Sequence, residues 1–225
     1  MAFAAEPTRP PEANYQTRAR NRDGIGKIYF GREIAQVMGH EGASWLERPT
    51  RESEERTDLL LDALALKPGE VVADIGAGTG YFSWRMAKRV GAAGKIHAVE
   101  IQQEMLDLLM ANMKQQGVAS RVVPVLGTTQ DPKLPAAGID TILLVDVYHE
   151  FDFPLEMARA MIAALKPGGR LVFVEYRGED PAVPIKPLHK MTVAQLKKEM
   201  SIQPVTFEQT LTMLPQQHIV VFRKR

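Results

Sequence analysis

The feature that most constrains this chain is a set of three glycines at alternate positions, directly after an apolar run. The run VVADI ends at Ile75, and Gly76, Gly78 and Gly80 follow before a helical pattern, YFSWRMAKRV, begins. Glycine is required there because a Cβ would oppose positive φ values and would block the close approach of a ligand. A strand, a glycine-rich turn and a helix in succession are typical of a site where backbone N–H groups face a bound nucleotide.

The spacing of these glycines indicates which class of nucleotide to expect. They follow the pattern GxGxG, whereas the dinucleotide fingerprint is GxGxxG, with its third glycine one residue later. This difference disfavours a NAD-dependent dehydrogenase. It favours a nucleoside that carries no pyrophosphate.

Four stretches agree in order and spacing with the motifs of one enzyme family. They are DIGAGTGYF (Asp74–Phe82), HAVEI (His97–Ile101), IDTILLVDVYHEF (Ile139–Phe151) and LKPGGRLVFVEY (Leu165–Tyr176). With these stretches the chain resembles the class I S-adenosylmethionine-dependent methyltransferases, and among them the small-molecule enzymes of the quinone-biosynthesis type. The resemblance covers about residues 55–176. It implies S-adenosylmethionine as the cofactor and S-adenosylhomocysteine as the product.

The order of apolar runs predicts an α/β fold. Strands are expected at residues 70–75, 95–100, 121–126, 140–146 and 170–176, with helices between them. Three of these strands are continuous apolar runs, which is typical of a parallel sheet buried on both faces. The resemblance implies a doubly wound, mostly parallel sheet of seven strands in the order 3-2-1-4-5-7-6, with strand 7 antiparallel.

The chain divides into three predicted parts. Residues 1–24 are polar and proline-rich and are expected to be a flexible leader, and residues 67–225 are expected to form the Rossmann-like methyltransferase domain. Between them, residues 25–66 are expected to form an N-terminal helical lid. The spacing of Ile34 and Val37 is helical, and a further helix is predicted over residues 50–66.

The cofactor is expected at the carboxyl ends of the strands, where the strand order reverses. Asp74 would anchor the glycine turn or accept a hydrogen bond from the cofactor's ammonium group. Glu100, at the end of strand 2, would accept hydrogen bonds from both ribose hydroxyls. Thr128 stands where many relatives carry the acid that binds adenine. The residues predicted to bind the cofactor are Asp74, Gly76, Ala77, Gly78, Gly80, Glu100, Ile101, Thr128, Thr129 and Asp146.

The loop after strand 4 is expected to lie beside the transferred methyl group. Asp146 would meet the cofactor's amino group or position the substrate, and Tyr148 would orient the acceptor. His149 is the candidate base, because its unperturbed pKa of about 6.5 suits proton transfer near neutrality. In the alternative interpretation, His149 packs against the cofactor. The spacing DxxHE is not specific for a metal, and we expect no metal ion.

The composition limits the partners. The formal net charge is +1, which disfavours nucleic acid as a partner, and the absence of cysteine excludes disulfides and thiolate metal sites. No apolar stretch reaches the ~20 residues of a membrane span. The predicted partner is therefore a small-molecule acceptor, methylated on O, N or C, and the protein is expected to be a monomer or a homodimer. A non-catalytic module that binds the cofactor is the alternative.

The expected location is the cytoplasm, because the cofactor is made there. Ala2-Phe3-Ala4 resembles the small residues that flank a signal-peptide cleavage site, so export is the alternative.

Overall fold

The computed structural model describes residues 15–225, which begin with a small antiparallel sheet. Its strands, in spatial order, are β1 (Gln16–Thr17), β2 (Gly24–Tyr29) and β3 (Arg32–Ala35). Three short helices follow: α1 (Ala43–Leu46), α2 (Arg51–Glu55) and α3 (Thr57–Ala63). The small sheet thus begins before the predicted boundary at residue 25. The first part of the predicted leader, residues 1–14, and the possible cleavage site within it lie outside the described residues.

The remaining elements alternate between the strands of one large sheet and the helices that cover it. The strands are β4 (Val71–Ile75), β5 (Lys95–Glu100), β6 (Val122–Leu126), β7 (Ile139–Val145), β8 (Leu165–Tyr176), β9 (Val205–Leu211) and β10 (Gln217–Lys224). The helices are α4 (Tyr81–Val90), α5 (Gln103–Gln115), α6 (Pro154–Ala164) and α7 (Val193–Met200).

The strand order of the large sheet is β6-β5-β4-β7-β8-β10-β9. Counted from β4 as the first strand, this is the predicted order 3-2-1-4-5-7-6. The last strand, β10, runs antiparallel to both of its neighbours, whereas the β4, β5, β6, β7 and β8 pairings are parallel. The predicted fold class is confirmed.

The segment predicted to begin a helical lid is a β-hairpin instead. Phe30 and Gly31 connect β2 to β3 and have φ values of 49° and 96°. Two consecutive residues with positive φ make the tight turn whose twist matches that of paired strands. The helical spacing was misleading, because Ile34 is buried in β3 while Val37 lies beyond the strand with 44% of its surface exposed.

The helix predicted over residues 50–66 is present as α2 and α3, which meet at Arg56. This residue has a φ of 52° and ends α2. The break lets the two helices face different parts of the molecule. Leu60 and Leu61 of α3 pack into the apolar core on one face of the large sheet, whereas Arg51 and Glu55 of α2 line a cavity.

Helices cover both faces of the large sheet. On one face Leu60, Met86 and Leu109 bring α3, α4 and α5 into a single apolar cluster. On the other face Met161 and Leu196 do the same for α6 and α7. This packing leaves the carboxyl ends of β4, β5 and β7 together at one edge of the sheet, where ligands bind in open α/β sheets. Within residues 15–225, no helix is long and apolar enough to cross a membrane.

Candidate functional site

A cavity of about 590 Å³ opens at the carboxyl ends of β4, β5 and β7. Its walls come from the glycine turn after β4, the loop after β7, residues 184–189 after β8, and the N-terminal segment that includes α2. The volume is in the usual range of roughly 300–1,000 Å³ for sites that bind small molecules.

Two glycines of the turn present their backbone to this cavity. Gly76 and Gly78 have φ values of 66° and 54° and line the cavity wall. A Cβ at Gly76 would come within 2.4 Å of the Val147 side chain, and one at Gly78 within 2.5 Å of Leu46. Both positions therefore require glycine for conformation and for space, in agreement with the spacing of the motif.

The third glycine serves a different purpose. Gly80, with a φ of 82°, stands at the start of α4, and a Cβ there would meet Met113 of α5 at 2.6 Å. It lets the two helices pack closely. Neither Gly80 nor Ala77 lines the cavity, and the cofactor contacts of these two residues stay a prediction.

Asp74 lies at the end of β4, behind the turn, and does not line the cavity. Its carboxylate is buried and accepts a hydrogen bond of 2.6 Å from the Ser83 hydroxyl of α4. Burial raises the pKa of Asp74 to about 6. Of the two predicted roles, the structure favours that of an anchor, because the carboxylate joins β4 to α4 across the glycine turn.

Glu100 lines the cavity and holds the glycine turn from the neighbouring strand. Its carboxylate accepts hydrogen bonds from the backbone N–H groups of Gly78 at 3.1 Å and Ile101 at 2.7 Å. Burial raises the pKa of Glu100, although these N–H donors oppose the shift. Ile101 is half-exposed at the edge of the cavity. The contact of Glu100 with a ribose stays a prediction.

Thr128 and Thr129 lie on the cavity wall after β6. The Thr128 hydroxyl accepts a hydrogen bond of 3.0 Å from the backbone N–H of Asp131, so it closes a local turn. The Thr129 side chain makes no hydrogen bond to the other described residues. Its hydroxyl, unlike that of Thr128, is therefore available to a ligand.

Asp146 follows β7 in a left-handed conformation, with a φ of 51°. One carboxylate oxygen, Oδ2, accepts a hydrogen bond of 2.6 Å from Gln217, while Oδ1 is buried and has no hydrogen-bond partner among the described residues. Burial, together with the nearby Glu55 and Glu175, raises the pKa of Asp146 well above its ordinary value. The cavity wall thus contains a desolvated carboxylate with one unsatisfied oxygen.

A buried cluster of three polar residues, which the sequence analysis did not single out, lies near Asp146. Arg51 donates to Glu55 at 3.0 Å, and the Tyr176 hydroxyl donates to the same carboxylate at 3.1 Å. All three residues line the cavity. The i,i+4 spacing of Arg51 and Glu55 is visible in the sequence, but nothing local indicates that α2 packs over the large sheet.

His149 is buried in a short helical turn after β7 and lines the cavity. Its Nδ1 lies 2.5 Å from Glu175 Oε2, and its Nε2 lies 3.2 Å from His189 Nδ1. Burial alone lowers the pKa of His149, but the facing Glu175 carboxylate outweighs burial and the pKa is raised. Glu150 Oε1 lies 3.8 Å from His149 Nε2.

The predicted site left out Glu175 and His189 for different reasons. Glu175 is close to the carboxyl end of β8, next to β7, so the predicted sheet order contained the signal for it. His189 lies in a loop 40 residues beyond His149, and no spacing rule connects the two.

Tyr148 does not reach the cavity. Its side chain is fully buried, and its hydroxyl donates a hydrogen bond of 2.7 Å to Glu199 of α7. Burial raises the pKa of Tyr148 well above its ordinary value, and Glu199 adds to the shift. The predicted contact between Tyr148 and an acceptor is therefore corrected to a structural role beneath the site.

Comparison with known proteins places these features in a family. A family model described as a methyltransferase domain matches residues 66–219. The ubiquinone/menaquinone biosynthesis C-methyltransferase UbiE of Vibrio campbellii is 27% identical over 116 residues, which are 52% of this chain and 45% of that protein. The match thus spans less than half the length of that relative.

Two solved structures share the architecture. A SAM dependent methyltransferase from Aquifex aeolicus superposes with a TM-score of 0.78 at 20% identity, covering 84% of this chain and all of that one. The [4+2]-cyclase SpnF superposes with a TM-score of 0.64 at 17% identity, covering 74% of this chain and 80% of that one. At such identities the likeness shows the fold alone, and the two proteins are named for different activities. Because the family model covers more than half of the sequence, from just after α3 into β10, the chain belongs to the methyltransferase-domain family.

Proposed function

We propose that this protein transfers a methyl group from S-adenosylmethionine to a small-molecule acceptor. The observation that carries the proposal is the buried, unpartnered Oδ1 of Asp146 in the cavity wall. A buried carboxylate oxygen that lacks a hydrogen bond is costly unless a ligand satisfies it. The ammonium group in the amino-acid part of S-adenosylmethionine is a matching donor.

The electrostatics of the cavity support a ligand that carries positive charge. Burial raises the pKa of both Glu100 and Asp146, which means that each carboxylate has lost much of its hydration. A cation nearby stabilises the ionised form of such groups. Arg51, also in the wall, donates through Nε to Glu55 and through Nη1 to the Leu46 carbonyl, which leaves its Nη2 for the ligand's own carboxylate. Gly76 and Gly78 present backbone, without a side chain, to the cavity in which a nucleoside would lie.

The protein's main task in such a reaction is alignment. When bound, S-adenosylmethionine supplies a methyl group on a sulfonium, and the departing thioether is neutral. The chain therefore needs to hold the reacting groups in line and to exclude water. Apolar side chains of Met38, Leu46 and Met157 line the cavity and serve the second purpose.

The acceptor is assigned to the part of the cavity formed by His149, Glu150 and His189. These polar groups can orient an acceptor oxygen, while Met157 and Ile185 offer apolar contact to a ring. Because the relative UbiE is named for ubiquinone and menaquinone biosynthesis, quinols and phenols are the first acceptors to screen. The proposal places the reaction in the cytoplasm, with the protein acting as a monomer or homodimer.

Formation of S-adenosylhomocysteine tests the proposal directly. The protein is incubated with S-adenosylmethionine and a panel of quinols, phenols and amines, and product is measured by mass spectrometry. We expect turnover with at least one class. Product that is absent across the panel, from protein that binds S-adenosylhomocysteine normally, would contradict methyl transfer and favour a non-catalytic binding module.

His149→Ala separates the two roles predicted for that residue. If His149 meets the acceptor, the variant should lose about 100-fold in turnover because the acceptor is misplaced. Its affinity for S-adenosylhomocysteine, measured by calorimetry, should remain that of the parent protein. A fall in this affinity would instead mean that His149 packs against the cofactor.

A further inference from the structure

Three donor atoms face one another in the acceptor part of the cavity. His149 Nε2 lies 3.2 Å from His189 Nδ1, and that atom lies 3.4 Å from Glu150 Oε1. The third edge, from His149 Nε2 to Glu150 Oε1, is 3.8 Å. The three atoms form a nearly equilateral triangle on the cavity wall, although the residues come from two separate loops.

The edges of this triangle lie within about 0.2 Å of the spacing of ligands around a tetrahedral metal ion. Zinc is bound by imidazole nitrogen and carboxylate oxygen at about 2.0–2.2 Å, which places neighbouring ligand atoms about 3.3–3.6 Å apart. A hydrogen bond between the two histidines would explain only the shortest edge. It would not explain why one oxygen of Glu150 approaches both rings.

We propose that His149, Glu150 and His189 bind a divalent transition-metal ion of the zinc class. Two imidazoles and one carboxylate, with a fourth position open to a cavity, are the ligand set of catalytic zinc sites. Two nitrogen ligands disfavour magnesium and calcium, which prefer oxygen.

The surrounding groups hold two of the ligands in position. Glu175 is fully buried, and its carboxylate accepts a hydrogen bond from His149 Nδ1, which leaves the lone pair of Nε2 free for a metal. Glu150 keeps one oxygen for the metal because the other accepts a hydrogen bond of 3.2 Å from the backbone N–H of Met38. A carboxylate behind a histidine ligand is the usual support of a metal-binding imidazole.

The local charge also favours a cation. Glu150 and Glu175 both lie against the His149 ring. The cation on the other side is Arg32, which donates to the His149 carbonyl but is already paired with Glu199 at 2.6 Å. Among the described residues, neither Glu150 nor Glu175 forms an ion pair with an arginine. A bound dication would therefore balance the charge of these two carboxylates.

The use of the metal rests on the proposed function, whereas its binding does not. The open position would take an oxygen of a phenol-like or enol-like acceptor as the anion, whose proton would be released to water as the oxygen binds the metal. His149 would then act as a ligand through Nε2 and could not serve as the base. The expectation of no metal arose because the motif DxxHE, with Asp146, His149 and Glu150, is not specific for a metal and does not include His189.

Titration with zinc tests the inference in the full chain. The protein is first treated with a chelator and then titrated with Zn²⁺ by calorimetry, with the visible absorption of bound Co²⁺ as a measure of tetrahedral geometry. We expect one equivalent of each ion to bind. Glu175→Gln should weaken Zn²⁺ binding about 10- to 100-fold, as loss of an outer-shell partner does. His189→Ala, which removes a direct ligand, should weaken binding at least as much.

His40→Ala is the matched control, since 43% of the His40 side chain is exposed and this residue lies outside the triangle. It should bind Zn²⁺ as the parent protein does. Each variant is also titrated with S-adenosylhomocysteine, and retained affinity shows that the variant is folded. Absence of saturable Zn²⁺ binding by the parent protein, or equal Zn²⁺ affinity in His189→Ala, would overturn the inference. Zinc binding without methyl transfer would refute the proposed function alone.

Discussion

The cavity has a proposed cofactor part, at the glycine turn, and a proposed acceptor part, at His149 and His189, and the two are built in different ways. The cofactor part comes mainly from one strand–turn–helix unit, residues 71–90, held by Glu100 of the adjacent strand. The acceptor part joins residues that are far apart in the chain. His149 contacts His189, and Arg32 of the N-terminal hairpin bonds to the His149 backbone while it pairs with Glu199, 167 positions away. Local geometry determines the first part, and long-range pairing determines the second.

The two parts also differ in how their charges are satisfied. In the cofactor part, Asp74 and Asp146 are buried without a cationic hydrogen-bond partner, and burial raises the pKa of each. Behind the acceptor part, Arg32 and Glu199 do not line the cavity and form a close ion pair with little exposure. The comparison predicts that a ligand stabilises the unpaired Asp146 carboxylate, whereas the charges of Arg32 and Glu199 are satisfied within the chain.

Arg32→Met should produce the largest loss of stability. The substitution leaves the Glu199 carboxylate buried with the Tyr148 hydroxyl and Gln195 as its remaining side-chain partners. Removing one partner of a buried ion pair typically costs about 3–5 kcal/mol. Urea unfolding of the parent protein and the variant would measure the difference.

Arg89→Met is the control for this loss, because Arg89 pairs with Asp62 at the surface. Its free energy of unfolding should change little, as exposed pairs contribute little. Under conditions where Arg32→Met is folded, its affinity for S-adenosylhomocysteine should be close to that of the parent protein. A similar loss of stability in both variants would contradict the difference drawn between the two parts.

Asp74→Asn should change the pH dependence of stability. The pKa of Asp74 is about 6 in the folded protein, above its value in the unfolded chain, so folding favours the protonated form. The contribution of Asp74 is therefore present below about pH 4 and is lost as the pH rises through about 6. The unfolding free energy of Asp74→Asn minus that of the parent protein should rise by about 2 kcal/mol from pH 4 to pH 7.

Urea unfolding at several pH values, without cofactor, would measure this difference. Asp107→Asn, at an exposed site on α5, serves as the control and should follow the parent protein at every pH. Curves for Asp74→Asn and the parent that stay parallel from pH 4 to pH 7 would show that Asp74 is not desolvated as described.

The features that could be predicted from the sequence are local ones, and those that could not depend on contacts between distant residues. The glycine turn, Glu100 and the strand order could be predicted because apolar runs and glycine spacing are local properties of the chain. The N-terminal hairpin was missed because its turn requires positive φ values at both Phe30 and Gly31, and a phenylalanine does not predict a positive φ. His189 was left out of the predicted site because only the folded loop after β8 brings it to His149.

The central claim is that the cofactor lies against the backbone of the glycine turn, and calorimetric titration of Gly78→Val with S-adenosylhomocysteine tests it most directly. Gly117→Val is the matched control, because Gly117 has a similar φ of 67° but no atom within 4 Å of its would-be Cβ. The account predicts that Gly78→Val shows no detectable binding while Gly117→Val binds like the parent protein. Equal affinity in Gly78→Val and the parent protein would contradict the account.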